Sequence, residues 1–260
     1  MNLLPARVLF WILLPVTIPQ GLWLRRRATR LPGAAGERRG IRGEGADLHL
    51  LAIGDSIIDG VGTGSVEAAL PGQFATALAR GGRRVHWRVE GASGHGLRDV
   101  TARLASLPAE VRADLVLLSV GVNDVTGLTR THRWRRGLRQ LLQVIDSRWP
   151  DARILFAGLP PMDRFPLPPQ PLRFSLGLRA RVLDAIARAV IGENPNAIHV
   201  PTRIDPHQHG FCEDGFHPSA DSCTLWANEL AGVLMAEGAV RLPGLQAGTP
   251  AIEDTRSTSP

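Results

Sequence analysis

The chain predicts an α/β protein, a three-layer α/β/α sandwich around a five-stranded, mostly parallel sheet. Short apolar, β-rich runs recur at 48–53, 85–89, 114–120, 153–158 and 197–200, each of a length that suits a parallel strand buried on both faces. Stretches of helical period separate or follow them at about 71–80, 97–106, 131–148, 173–191 and 218–237. Alternation of this kind folds through right-handed crossovers, with helices on both faces of one sheet.

Taken in order, the first 46 residues form an apolar, arginine-flanked segment and a linker. Val8 to Leu24 is mostly apolar, but Pro15, Thr17, Pro19 and Gln20 interrupt it. It therefore falls short of the roughly 20 clean residues of a spanning helix. No Ala-x-Ala site follows directly, which weakens the reading as a cleaved signal. A membrane anchor is favoured; an export signal and a soluble packed helix stand as alternatives. If the segment inserts, Arg25, Arg26, Arg27 and Arg30 against Arg7 leave the body on the cytoplasmic side. Residues 31–46 hold five glycines and read as a flexible link. The domain then runs from 47 to 240, of a size that buries one core. Residues 241–260, rich in Gly, Pro, Ser and Thr, read as a disordered tail.

Charge sorts the function classes. The net charge of +6 and pI near 11.0 hint at nucleic acid. Yet residues 1–45 carry eight arginines against Glu37 and Glu44, while the remainder balances twenty-two arginines with twenty-two acids. The body is neutral, so no nucleic-acid partner is expected. All thirty basic residues are arginine, which excludes a Walker-type phosphate loop and a lysine Schiff base.

Four blocks carry the chemistry. Gly54-Asp55-Ser56 follows the first apolar run, so the Ser56 hydroxyl stands at the carboxyl end of a strand, where open α/β sheets place their ligands. Such a hydroxyl needs a base, and His217 in Asp214-Gly215-Phe216-His217 is the candidate, with Asp214 to orient and stabilise its imidazole. Developing oxyanion charge needs donors already in place. Backbone N–H groups of Ser56 and Gly94 and the side-chain amide of Asn123, in Gly121-Val122-Asn123-Asp124, supply three. Each block alone is weak: Gly-Asp-Ser is a common turn, and a lone Asp-x-x-His is usually a surface or capping pair. Their order, each beside a strand end or loop, is the specific signal.

On these residues the chain resembles the SGNH hydrolases, or GDSL esterase/lipase family, over about Leu48 to Glu237. The four named residues fall on Ser56, Gly94, Asn123 and His217, with Asp214 completing the triad. Gly91 and Gly96 of the second block stand as alternative donors. The resemblance implies a flavodoxin-like SGNH hydrolase fold and a serine ester hydrolase, of carboxylesterase or lipase type, that forms an acyl-serine. The substrate is a small-molecule or lipid acyl ester, and no cofactor or metal is implied. Acyl transfer to a sugar, sugar deacetylation, and lysophospholipase or thioesterase activity on the same site are the alternatives. Residues 1–45 carry none of the blocks, so their removal is expected to leave the pH profile of turnover unchanged while weakening partition into the membrane fraction.

Other features have blander readings. Gly60-Val61-Gly62-Thr63-Gly64 lacks the third glycine of a dinucleotide loop, since position 67 is Glu67, and reads as a mobile loop beside the nucleophile. His207, His209, Cys212, Asp214 and His217 match no standard zinc spacing. Cys212 and Cys223 read as free thiols, with a disulfide left open. Arg130, Arg133, Arg135, Arg136 and Arg139 around Trp134 read as a solvated helix face. The proline-rich run 159–169 is expected to place Met162, Phe165 and Leu167 as an acyl-group wall.

Overall fold

The computed structural model describes residues 4–202 and 210–236. Among the described residues its sheet has six strands: β1 Arg39–Arg42, β2 Ala46–Gly54, β3 Arg83–Gly91, β4 Leu115–Ser119, β5 Arg153–Ala157 and β6 Ala197–Val200. They lie in the order β1-β3-β2-β4-β5-β6, all parallel except β1, which pairs antiparallel with β3. The five expected strands are all present. The sixth was hidden because Arg39-Gly40-Ile41-Arg42 is an edge strand: it needs no apolar run, and its charges suit an exposed edge. Central β4 is buried at every position, whereas β3, beside that edge, begins with alternating burial.

Helices α3 (Leu70–Arg80) and α8 (Ala220–Ala236) pack together, as do α4 (Leu97–Ala105) with α6 (Thr131–Arg148) and α6 with α7 (Leu172–Ile191). This is the expected layering, with one pair on one face and the others opposite. The Trp134 indole N–H donates to the Leu183 carbonyl at 2.9 Å, pinning α6 to α7. It makes Trp134 a core anchor, while Arg133, Arg136 and Arg139 face solvent, the last in a bidentate pair with Glu193. Two short helices had too few residues to show a period: α2 (Ser56–Asp59) and α5 (Val122–Thr126). Both carry site residues.

The N-terminal part departs most from expectation. Instead of an interrupted stretch, α1 runs unbroken from Leu4 to Arg27 through Pro15 and Pro19. The prolines are one turn apart and exposed, so the missing N–H groups fall along one outer line of the helix. At 24 residues and a mean hydropathy of 1.4, α1 is long and apolar enough to cross a membrane. It packs on α7, on the side away from the sheet, where Leu178 and Val182 are buried outside the main core.

Nor is 31–46 a loose link. Besides β1, the Ala34 and Ala35 N–H groups donate to Asp59 and Gly64 carbonyls at 3.0 and 3.2 Å, and Gly62 N–H donates to Pro32 at 3.1 Å. Arg38 pairs with Asp59 at 2.7 Å. These bonds also tie down the 60–64 glycine turn, so the mobile loop expected there is instead stitched to the chain before β1. Sequence reading missed this because, apart from the Arg38–Asp59 pair, the bonds are backbone to backbone and carry no residue signature. The 241–260 tail lies outside the described residues.

Candidate active site

Strand order reverses between β3 and β4 around β2, and the crevice at such a switch point is where α/β sheets bind ligands. The segments after β2, β3 and β4 carry Ser56, Gly94 and Asn123 respectively. Asp55 ends the β2 chain path: its N–H donates to Ser119 at 3.0 Å and its Oδ1 accepts from Ile57 N–H at 3.1 Å, capping α2. Ser56 therefore opens a helix, where backbone N–H groups lack intrahelical acceptors.

The Ser56 Oγ lies 3.0 Å from His217 Nε2, across 161 residues of sequence. The His217 Nδ1 lies 2.6 Å from Asp214 Oδ2. A serine proton passes to Nε2 only if the ring hydrogen sits on Nδ1, and Asp214 favours that tautomer. Asp214 itself is 6 % exposed. Its Oδ1 accepts the Phe216 and His217 N–H groups at 2.9 and 3.0 Å. Burial pushes the Asp214 carboxyl up, but these bonds and the His217 ring outweigh it, so it lies below the ordinary value and stays ionised.

The histidine loop closes on itself: Cys212 N–H donates to His217 at 2.8 Å, Gly215 N–H to Cys212 at 2.9 Å, and Phe211 bridges Pro218. The proline-rich run braces it from outside. Leu167 N–H donates to Gly215 at 3.1 Å. Phe165 meets the Phe211 and Phe216 rings edge-on at 5.0 and 5.2 Å, and Phe216 meets His217 at 5.4 Å. Met162 and Phe165 are 0 % and 2 % exposed. Phe165 is spent on this packing, not displayed as the acyl wall expected of it, Met162 is equally enclosed, and Leu167 stays half-buried.

On the oxyanion side, Asn123 Nδ2 donates one hydrogen to the His95 carbonyl at 2.9 Å, which fixes the amide against the Gly94 turn and leaves its second hydrogen. Gly94 holds φ +81°, and among the described residues its N–H has no acceptor. The alternative glycines have other work. Gly91 is in register with Gly54, and a Cβ there would lie 2.2 Å from the Asp59 nitrogen of α2. The Gly96 N–H donates to Asp99 at 3.1 Å.

Two supporting residues escaped sequence reading. Asp55, 0 % exposed, has an Oδ2 without a partner among the described residues, and burial raises its carboxyl to about 7. Its cap position just before a helix was the available signal. Arg179, 6 % exposed, donates to the Val125 and Thr129 carbonyls at the C-terminal end of α5, and its guanidinium lies 4.9 Å from the Phe10 ring of α1. Burial lowers its pKa, and nearby Asp124 opposes that. Nothing in a helix with several arginines marks this one out.

Among the described residues no cluster suits a metal ion; His207 and His209 lie outside them. Cys212 and Cys223 are free thiols. Cys223 is buried, which pushes it up to about 12.

The family model for the GDSL-like lipase/acylhydrolase family matches residues 52–222. No curated protein matches in sequence. Similar solved structures include a carbohydrate esterase family 2 enzyme with a carbohydrate-binding domain from Corynascus thermopiles, at 17 % identity and TM-score 0.59, covering 73 % of this chain and 66 % of that one. A carbohydrate acetylesterase from Sinorhizobium meliloti aligns at 20 % identity and TM-score 0.57, over 73 % and 99 % of the two chains. A lipase/acylhydrolase from Enterococcus faecalis aligns at 20 % and 0.54, over 73 % and 96 %.

Proposed function

Because the chain belongs to the GDSL-like lipase/acylhydrolase family and is an ester-cleaving hydrolase, we propose that it cleaves acyl esters through a covalent acyl-serine on Ser56. The observation that carries this reading is the continuous Ser56–His217–Asp214 hydrogen-bond relay. Ser56 Oγ attacks the ester carbonyl while its proton moves to His217 Nε2. The oxyanion is held by N–H groups of Ser56 and Gly94 and by Asn123 Nδ2. His217 returns the proton to the leaving alkoxide, and water then repeats the sequence on the acyl-serine, releasing acid and restoring Ser56. Asp214 stabilises the imidazolium without taking its proton.

The test is Ser56→Ala beside wild type on p-nitrophenyl esters of graded chain length. A fall in kcat of about 10³–10⁶ in a folded protein supports the nucleophile, as does an acyl adduct on Ser56 by mass; retained turnover refutes it. The likeness to carbohydrate esterases favours a second reading, removal of acyl groups from sugars. Preference for acetylated sugars over aryl esters supports it, and acyl products on an added sugar acceptor would identify a transferase. The apolar α1 with its arginine flank supports attachment to a membrane, with the body on the cytoplasmic side if the helix inserts.

A further inference from the structure

Helix α1 is inside out for a protein in water. Between Val8 and Leu24 every exposed residue is apolar: Val8, Leu9, Trp11, Ile12, Pro15, Val16, Ile18, Pro19, Leu22 and Trp23. The two conventionally polar side chains of that stretch, Thr17 and Gln20, turn inward. Thr17 is 3 % exposed and donates to Leu13 at 3.1 Å. Gln20 donates from Nε2 to the Gln170 carbonyl at 3.0 Å and accepts Leu172 N–H on Oε1 at 3.1 Å. Phe10, also inward, lies over Arg179. A helix docked in water turns polar residues outward. Here the outward half presents only what hydrocarbon tolerates.

Charge names the other component of that environment. No acidic residue precedes Glu37, while Arg7 stands at one end of the helix and Arg25, Arg26, Arg27 and Arg30 at the other. Arg27 lies 5.0 Å from the Trp23 ring, an aromatic–cation pair suited to the headgroup level. Docking by specific bonds along the helix argues against a free tether, and leaving α7 to cross a bilayer would strip the Gln20 bonds and uncover Arg179.

We propose that α1 stays docked on α7 and beds its outer face lengthwise in an anionic phospholipid bilayer, holding the active site at the lipid surface. The inference rests on the membrane attachment proposed above. Two more exposed apolar side chains, Leu128 and Phe174, stand on segments bonded to the residues that hold α1. Leu128 lies between the two carbonyl-bearing residues that Arg179 grips, and Phe174 N–H donates to the side-chain oxygen of Gln170, the residue that holds Gln20. The same segments hold the site. Asn123 belongs to α5, just before Leu128, and Leu167, three residues before Gln170, grips the histidine loop. Esters borne by the bilayer would reach Ser56 from this side.

The depth of the two exposed indoles separates lying from crossing. The other four tryptophans are at most 9 % exposed, so brominated lipids in vesicles report on Trp11 and Trp23. The full chain is bound to phosphatidylcholine vesicles with and without phosphatidylglycerol. Trp23→Phe then isolates Trp11, and Trp11→Phe isolates Trp23. Expected are tighter binding with phosphatidylglycerol and equal, shallow quenching depths for the two indoles. Indoles separated in depth by most of the roughly 18 Å that twelve helical residues span would overturn the docked face while leaving attachment standing. Absence of vesicle binding would overturn both. Ile12→Glu with Val16→Glu should weaken vesicle binding at least tenfold with turnover of a soluble short-chain ester unchanged; unaltered vesicle binding would also overturn the outer face as the lipid contact.

Discussion

Replacing Asp55 by Asn should change how stability depends on pH more than it changes stability itself. The Asp55 carboxyl, just past β2, is wholly buried, one oxygen capping α2 and the other unpartnered among the described residues, and desolvation raises it from 3.8 to about 7 against the opposing Ile57 N–H bond and the His217 charge. Folded protein therefore keeps this proton in a range where unfolded chain has lost it. Stability is fully present below pH 3.8 and is lost as pH rises through about 7. Each pH unit in that window removes about 1.4 kcal/mol, about 4 kcal/mol in all. Asn keeps the capping oxygen and carries no ionisable proton. Urea unfolding of both proteins from pH 3.5 to 8.5 isolates the term, since every other titrating group is shared. The wild-type stability minus that of Asp55→Asn should fall across the window by about that amount and then level off. A constant difference would show that Asp55 ionises at its ordinary value in the folded state.

Two further outcomes follow. Asn123→Ala should lower kcat by about 10²–10³, or about 3–4 kcal/mol, with KM little changed; steady-state kinetics showing only a KM change would make Asn123 a substrate-binding group. Deleting residues 1–45, expected from sequence to leave the pH profile of turnover unchanged, should lower stability by about 3 kcal/mol or more, since Leu178 and Val182 lose their cover at about 1.5–3 kcal/mol per apolar side chain and β1 leaves the sheet. Turnover should fall with it as Arg179 loosens its hold on α5, and an unchanged urea midpoint and kcat would show that α1 and β1 merely rest on the body.

Local chemistry determined much by itself. Continuous apolar runs such as Leu115–Ser119 are buried whatever surrounds them, so five strands and five long helices were legible. Ser56, Asn123, Asp214 and His217 were legible because each sits at a strand end or turn where side-chain type alone limits its use. Only the tertiary structure decided the remainder. The edge strand β1 exists because β3 offers it unpaired backbone groups, and backbone pairing leaves no mark on side-chain order. Phe165 belongs to the brace because Phe211 and Phe216, far along the chain, come to meet it. Arg179 is distinguished from its neighbours by the carbonyls of α5 and the ring of Phe10, and α1 by turning Thr17 and Gln20 towards α7. Which way a helix faces depends on what it packs against, and that partner is fixed by contacts between residues distant in sequence, which no local pattern encodes.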